Sequence, residues 1–139
     1  MKKSVVALRW LLLAGGVYFL AVSIAHMLRE KVPLLFVYYD LPSYGYQDRI
    51  ISFLSFGWSV FLFSASLDPE KNRDAVKALL IAGLAAICGL NVINTVTNFR
   101  ALDPVVQPTM FRAETLVLTA YVGALIYCYF FSSRENTKR

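Results

Sequence analysis

Four long stretches of this 139-residue chain carry no charged side chain: Trp10 to Met27, Ile50 to Leu67, Ala78 to Phe99 and Thr115 to Ser133. They contain 18, 18, 22 and 19 residues, close to the ~20 that cross a hydrocarbon core at about 1.5 Å per helical residue. Inside a bilayer each backbone polar group must find its partner within its own segment, which selects helices; a barrel would instead show ~10-residue strands of alternating polarity. No such alternation is visible. The pattern predicts an all-α, integral membrane four-helix bundle, with helices over about 5–28, 46–67, 70–99 and 110–133 forming one transmembrane domain across residues 1–139.

The connections differ in character. Asp68-Pro69-Glu70-Lys71-Asn72-Arg73-Asp74 is short and polar, with Asp68 suited to an N-cap, Pro69 to the first helical position and Glu70 to the positive helix end, so helix three is expected to begin near Pro69 and to project from the membrane. Val32 to Tyr39 and Leu41 to Tyr46 are too broken by proline to span and too aromatic to float in water. They predict an aromatic segment between helices one and two, lying on the outer interface or packed over the helix ends. Asp103-Pro104 and Pro108-Thr109 mark turns, and the fourth helix is expected from about Thr109.

Composition agrees with a membrane location: 58% of residues are hydrophobic and 17% charged, against roughly 45–50% apolar in soluble domains. Met1, Lys2 and Lys3 ahead of an apolar run resemble a secretory signal, with Ser23 and Ala25 as small residues before a cut, but the run is long and Arg9 interrupts its start, so it is read as a retained helix. The net charge of +5 belongs to connections and tails rather than to a nucleic-acid surface. Nine basic residues (Lys2, Lys3, Arg9, Lys71, Arg73, Lys77, Arg134, Lys138, Arg139) fall on one side and five (Arg29, Lys31, Arg49, Arg100, Arg112) on the other. The positive-inside rule then predicts a multi-pass inner-membrane protein with both termini cytoplasmic.

Small residues at helical spacing predict close packing: Ala82, Ala86 and Gly89 on helix three, Ala120 and Ala124 on helix four. On helix two, Ser52, Ser55, Ser59 and Ser66 share one face while Phe53, Phe61 and Phe63 largely occupy others, so the serine face should turn inward. Cys88 and Cys128, without CxxC spacing, read as small buried apolar residues.

The most specific polar pattern is Asn91, Asn94, Thr95 and Asn98, one stripe along helix three. Amides in lipid are costly unless bonded, so the stripe is expected to face other helices, a water-filled recess or a ligand. His26, at the end of helix one, and Glu114, near the start of helix four, lie at the same outer level and would join Asn91, Asn94 and Asn98 in an outward-facing ligand pocket. Alternatively the asparagines bond neighbouring helices, His26 sits at the interface and Glu114 favours its helix start or pairs with Arg112. No metal site is expected, since the chain has one histidine and no zinc-ligand spacing. Nor is there GxSxG, a P-loop, HExxH or a pair of carboxylates within one span, so no catalytic residue is assigned and a lone enzyme is disfavoured.

The outline resembles the DoxX-like group of small bacterial four-helix membrane proteins, through Arg9 leading helix one with Gly15 and Gly16 behind it, His26 closing that helix, and the compact four-span layout. That resemblance implies a link to quinone-associated oxidation or membrane redox assemblies and carries no catalytic residue across. The sequence thus supports a non-catalytic accessory or assembly subunit, with the bilayer and a membrane protein partner or a second copy as its surroundings. A binding protein for a quinone or lipid, with no other cofactor, is the alternative. An oligomeric channel or transporter ranks third, because no inverted repeat is evident.

Overall fold

A computed structural model describes residues 3–32, 35, 37, 45–102 and 108–137, without the side chains of 100, 102 and 133–137. Every regular element among them is helical: α1 (Lys3–Leu28), α2 (Gly45–Leu67), α3 (Arg73–Val96), the single turn α4 (Phe99–Leu102) and α5 (Pro108–Thr137). The four long helices are each apolar enough, over 23 to 26 residues, to cross a membrane. All four carry large apolar side chains on their outward faces, including Trp10, Phe53, Phe61, Ile81, Val92 and Leu116.

The helix ends follow from local chemistry. Past Leu28 the backbone turns left-handed at Arg29 (φ 61°), with Arg29 N–H donating to His26 O at 3.2 Å and Glu30 N–H to Ala25 O at 2.9 Å. This is a Schellman closure in which arginine occupies the position usually held by glycine. Helix three starts later than the cap signals suggest. Asp68 does accept a bond from Lys71 N–H at 3.1 Å, but the turn it caps closes on itself through Asn72 N–H to Asp68 O at 2.9 Å, and α3 begins only at Arg73. Asn72 links the two elements by donating its amide to Ser64 O, 3.1 Å away, near the end of α2. Helix three also stops early: Thr97 is extended, and the chain folds back so that buried Phe99 stacks on Phe111 at 4.4 Å. Helix α5 begins at Pro108, whose missing N–H would have been unpaired in any first turn.

Contacts between ends establish an up-down-up-down order. Leu8 and Leu12 at the start of α1 share a core with Leu62 and Ala65 near the end of α2, Val76 and Leu80 at the start of α3, and Leu125 in the second half of α5. Arg73 lies over the Tyr129 ring, 4.8 Å from its centroid, at the same end. The opposite end holds the close of α1, the start of α2, the end of α3 and the start of α5. Both chain termini therefore lie at one end of the bundle.

The four long helices form two antiparallel pairs. The α1–α2 interface is by far the most extensive, α3 packs chiefly on α5, and the pairs meet through α1–α5 and, more sparsely, α2–α3. The inward serine face is as expected: Ser52, Ser55, Ser59 and Ser66 are all buried, while Phe53 and Phe61 face outward. Ser59 donates to Gly16 O at 2.9 Å and Ser52 meets Ser23 at 3.3 Å, so hydroxyls run along the seam. The close approaches elsewhere are glycines not singled out for packing. A Cβ on Gly15 would strike the Tyr121 hydroxyl, on Gly16 the Phe63 ring at 2.9 Å, and on Gly83 Val122 at 2.9 Å. The residues expected to pack lie otherwise: Ala82 and Ala124 are half-buried, whereas Ala86, Gly89 and Ala120 are exposed. A Cβ on Gly89 would meet nothing within 4 Å. Small-residue spacing identifies a face that can approach another helix closely; it does not say that the partner belongs to the same chain. Cys88 is likewise exposed, and Cys128 half-buried; both are free thiols.

Of the aromatic connection, only Val32, Leu35, Val37 and the residues from Gly45 on are described, so Tyr38, Tyr39 and Tyr44 lie outside the described residues. Val37 is buried with Val22 and Ala25, and Tyr18 donates to Leu35 O at 2.9 Å. These residues pack over the end of α1.

The glycines give a direct test. Gly16→Ala should lower stability by about 1–3 kcal/mol, because the Phe63 ring must leave its rotamer or the α1–α2 pair must part. Gly57→Ala and Gly89→Ala, with open space around the new methyl, should be neutral or stabilising by up to about 1 kcal/mol. Thermal unfolding of the three variants in one detergent would check this; equal melting temperatures would contradict the packing described.

Candidate functional site

His26, Asn94 and Glu114 stand at three separate places near the same end of the bundle, not in one pocket. His26 closes α1 and Asp48 lies in the first turn of α2, and the antiparallel pairing brings them together: His26 Nδ1 donates to Asp48 Oδ1 at 3.1 Å, with both side chains almost fully buried. An ionised Asp48 can only accept, which places a proton on Nδ1. Lys31 Nζ lies 4.0 Å from the same oxygen. An acid at a helix N-terminus and an imidazole at a helix C-terminus also suit the two helix dipoles. The arrangement ties α1 to α2, one turn beyond the Ser23–Ser52 contact. The uncharged-stretch pattern does not point to Asp48, which falls just outside such a stretch. The signal was available: in a four-span order the last turn of helix one and the first turn of helix two lie at one level.

The asparagine stripe splits. Asn94, half-buried, donates to Thr115 Oγ1 at 2.8 Å and Phe111 O at 3.3 Å, joining α3 to α5. Asn91 turns back to Ile87 O at 2.9 Å on its own helix, and Thr95 does the same to Asn91 O at 2.7 Å. Asn91, Thr95 and Asn98 are exposed on the outside of the bundle. With Arg112, Thr115 and Thr119 the first two border an open polar groove of about 440 Å³ between α3 and α5. Four-residue spacing aligned these side chains correctly, but only Asn94 of the stripe reaches another helix.

Glu114 belongs to a different space. Between the two helix pairs lies a cavity of about 500 Å³, walled by residues of all four long helices and almost wholly apolar. Its existence follows from the packing. Only Val76 and Leu80 of α3 are buried, both within its first eight residues, so the pairs close tightly at the end that carries the termini and leave room farther along. Ala82, Gly83 and Ala86 supply small surfaces on the α3 side; Tyr18, Phe19 and Trp58 supply aromatic ones on the α1–α2 side. Phe19 and Trp58 stack at 6.1 Å. Tyr121 enters from α5 and donates its hydroxyl to Leu11 O at 3.0 Å. Glu114 is the one ionisable acid or base among the described residues of the wall, apart from the tyrosines. The sequence had no means of selecting Tyr18, Trp58 or Tyr121, because aromatic residues are frequent throughout the spans and the cavity depends on distances between helices.

Among the described residues no three His, Cys, Asp or Glu side chains gather in a way that would hold a metal ion. Fold and site define an all-α bundle of four membrane-length helices around an apolar interhelical cavity with one acidic wall residue. Comparison with protein-family models, curated proteins and solved structures gave no match.

The His26–Asp48 tie predicts non-additive mutations. His26→Ala and Asp48→Ala should each cost about 2–4 kcal/mol by leaving a buried partner uncompensated, and the double variant should cost clearly less than the two together. Unfolding equilibria in mixed micelles would measure the cycle; strict additivity would show that the pair is not coupled.

Proposed function

We propose that this chain is a multi-pass inner-membrane protein that holds a small lipophilic molecule, a quinone or a lipid, in the cavity between its two helix pairs. The cavity is the observation that carries the reading. Its volume of about 500 Å³ falls within the ~300–1,000 Å³ typical of sites for small ligands, and such sites are mostly apolar with a few placed polar groups. The outward large apolar side chains support the bilayer as surroundings, since a soluble monomer rarely exposes so much contiguous apolar surface. The excess of basic residues at the end shared by both termini supports a cytoplasmic location for that end. Affinity to the DoxX-like group stays a proposal resting on Arg9, Gly15, Gly16 and His26; Gly15 and Gly16 at close helix contacts and His26 in a buried pair give those positions a packing role.

A second reading, an accessory subunit or a homo-oligomer, is favoured by one observation. Helix α3 presents Asn91, Thr95 and Asn98, together with Gly89, on exposed faces. Amide groups directed at lipid are costly, and a neighbouring helix offering hydrogen bonds would cover them. The two readings are compatible, because Asn91, Thr95, Asn98 and Gly89 do not line the cavity.

Gently extracted protein, analysed by native mass spectrometry, is expected to retain a bound lipophile that denaturation releases. Ala82→Phe, which projects a ring into the cavity, should reduce that occupancy by about tenfold or more, equivalent to roughly 1.4 kcal/mol. Full occupancy in this variant would place any bound lipophile elsewhere. Fusions of a cytoplasm-dependent reporter should be active at both termini; inactive fusions at both ends would reverse the topology, and inactivity at one end alone would contradict the four-span order.

A further inference from the structure

The cavity wall carries an acidic side chain without a basic counterpart among the described residues, and this points to the ligand's chemistry. Glu114 stands in the second turn of α5, half-buried, and makes no hydrogen bond or ion pair with any described residue. Among the described residues no lysine, arginine or histidine borders the cavity with it. An acidic group beside so much apolar surface is costly to keep without a partner, and ionisable residues retained at membrane depth are functional by default.

Two of the remaining polar groups on the wall present oxygen. Tyr18 and Tyr121 spend their hydroxyl protons on the carbonyls of Leu35 and Leu11, which leaves oxygen lone pairs. The rings of Tyr18, Phe19, Trp58 and Tyr121 line the same space, and a π face attracts positive charge. An anionic ligand would meet the Glu114 carboxyl with the Trp58 indole N–H as the side-chain donor opposed to it. A neutral lipophile would fill the volume and leave Glu114 as it is. A cation with an apolar body satisfies both the carboxylate and the aromatic faces.

We infer that the cavity selects a lipophilic cation, an apolar amine or quaternary centre of small-ligand size, with Glu114 as its counter-charge and the aromatic side chains as its cage. The inference rests on the cavity reading proposed above and adds the sign of the ligand's charge. Tetraphenylphosphonium and tetraphenylborate, nearly equal in shape and opposite in charge, serve as probes for the full chain in a neutral maltoside detergent. Wild-type protein should bind the phosphonium at least about tenfold more tightly than the borate, and Glu114→Gln should bring the two within about twofold of each other. Retained borate binding by Glu114→Gln would show that the variant's cavity is intact.

Equal binding of both probes by wild type, lost in Ala82→Phe, would overturn the charge selectivity and leave the cavity reading standing. A phosphonium preference that survives Glu114→Gln would equally overturn the role of Glu114. Binding of neither probe, or binding indifferent to Ala82→Phe, would remove the charge inference and the cavity reading together.

Discussion

A bundle whose large apolar side chains point outward cannot be held together by withdrawing them from water. In the proposed bilayer setting the hydrophobic effect inserts the helices but gives little reason for one helix to prefer another over lipid, so association rests on close approach and on polar groups that have no other partner. The α1–α2 seam is where this chain meets that constraint most fully. Gly15 and Gly16 remove side-chain bulk from α1, Ser59 bonds the carbonyl of Gly16 and Ser52 meets Ser23, and His26 with Asp48 closes the seam at its far end. Each such bond is modest, on the order of 0.6 kcal/mol in a membrane protein. Their alignment on one seam makes the α1–α2 pair the most rigidly specified part of the fold.

The second pair is built more loosely, and the contrast produces the cavity. Helix α3 offers alanines and glycines where α2 offers serines, and it buries only Val76 and Leu80. Its polar tie to α5 is the Asn94–Thr115 contact near one end. Gly83 against Val122 and Phe99 against Phe111 complete that interface. With the two pairs joined mainly through the core around Leu12, Leu62, Val76 and Leu125, the space farther along is bounded by all four helices and filled by none.

How far the sequence foretells this depends on the range of each interaction. The four spans were legible because an uncharged run of helical length is a property of contiguous residues. The serine face was legible for a similar reason, since a spacing of three, four and seven fixes a face within one helix. Interactions between helices were not. Asp48 was hidden by its place at the edge of a span, and the Asn91 to Asn98 stripe divided between an α5 contact at Asn94 and the outside of the bundle. Gly89 and Ala120 satisfy the small-residue spacing and yet are exposed, whereas Gly15 and Gly83, with large residues four positions away on either side, sit at close approaches between helices. The position of Glu114 near a helix start is a local feature, but its surroundings depend on the separation of two helix pairs that no local pattern encodes.

The same division bears on where selection of a ligand can reside. The α1–α2 pair is fixed by bonds between its own members, so the aromatic groups it lends to the cavity, Tyr18, Phe19 and Trp58, stand on a firm wall. Tyr18 is further held through Leu35 by the connection that packs over the end of α1. The facing wall of α3 has few bonds to lose, and its small side chains leave space without defining a shape. Adjustment to ligands of different size then falls to α3, while the position of charge relative to the aromatic groups is held by α1, α2 and α5. A site with one firm and one yielding wall would discriminate ligands by charge more sharply than by outline.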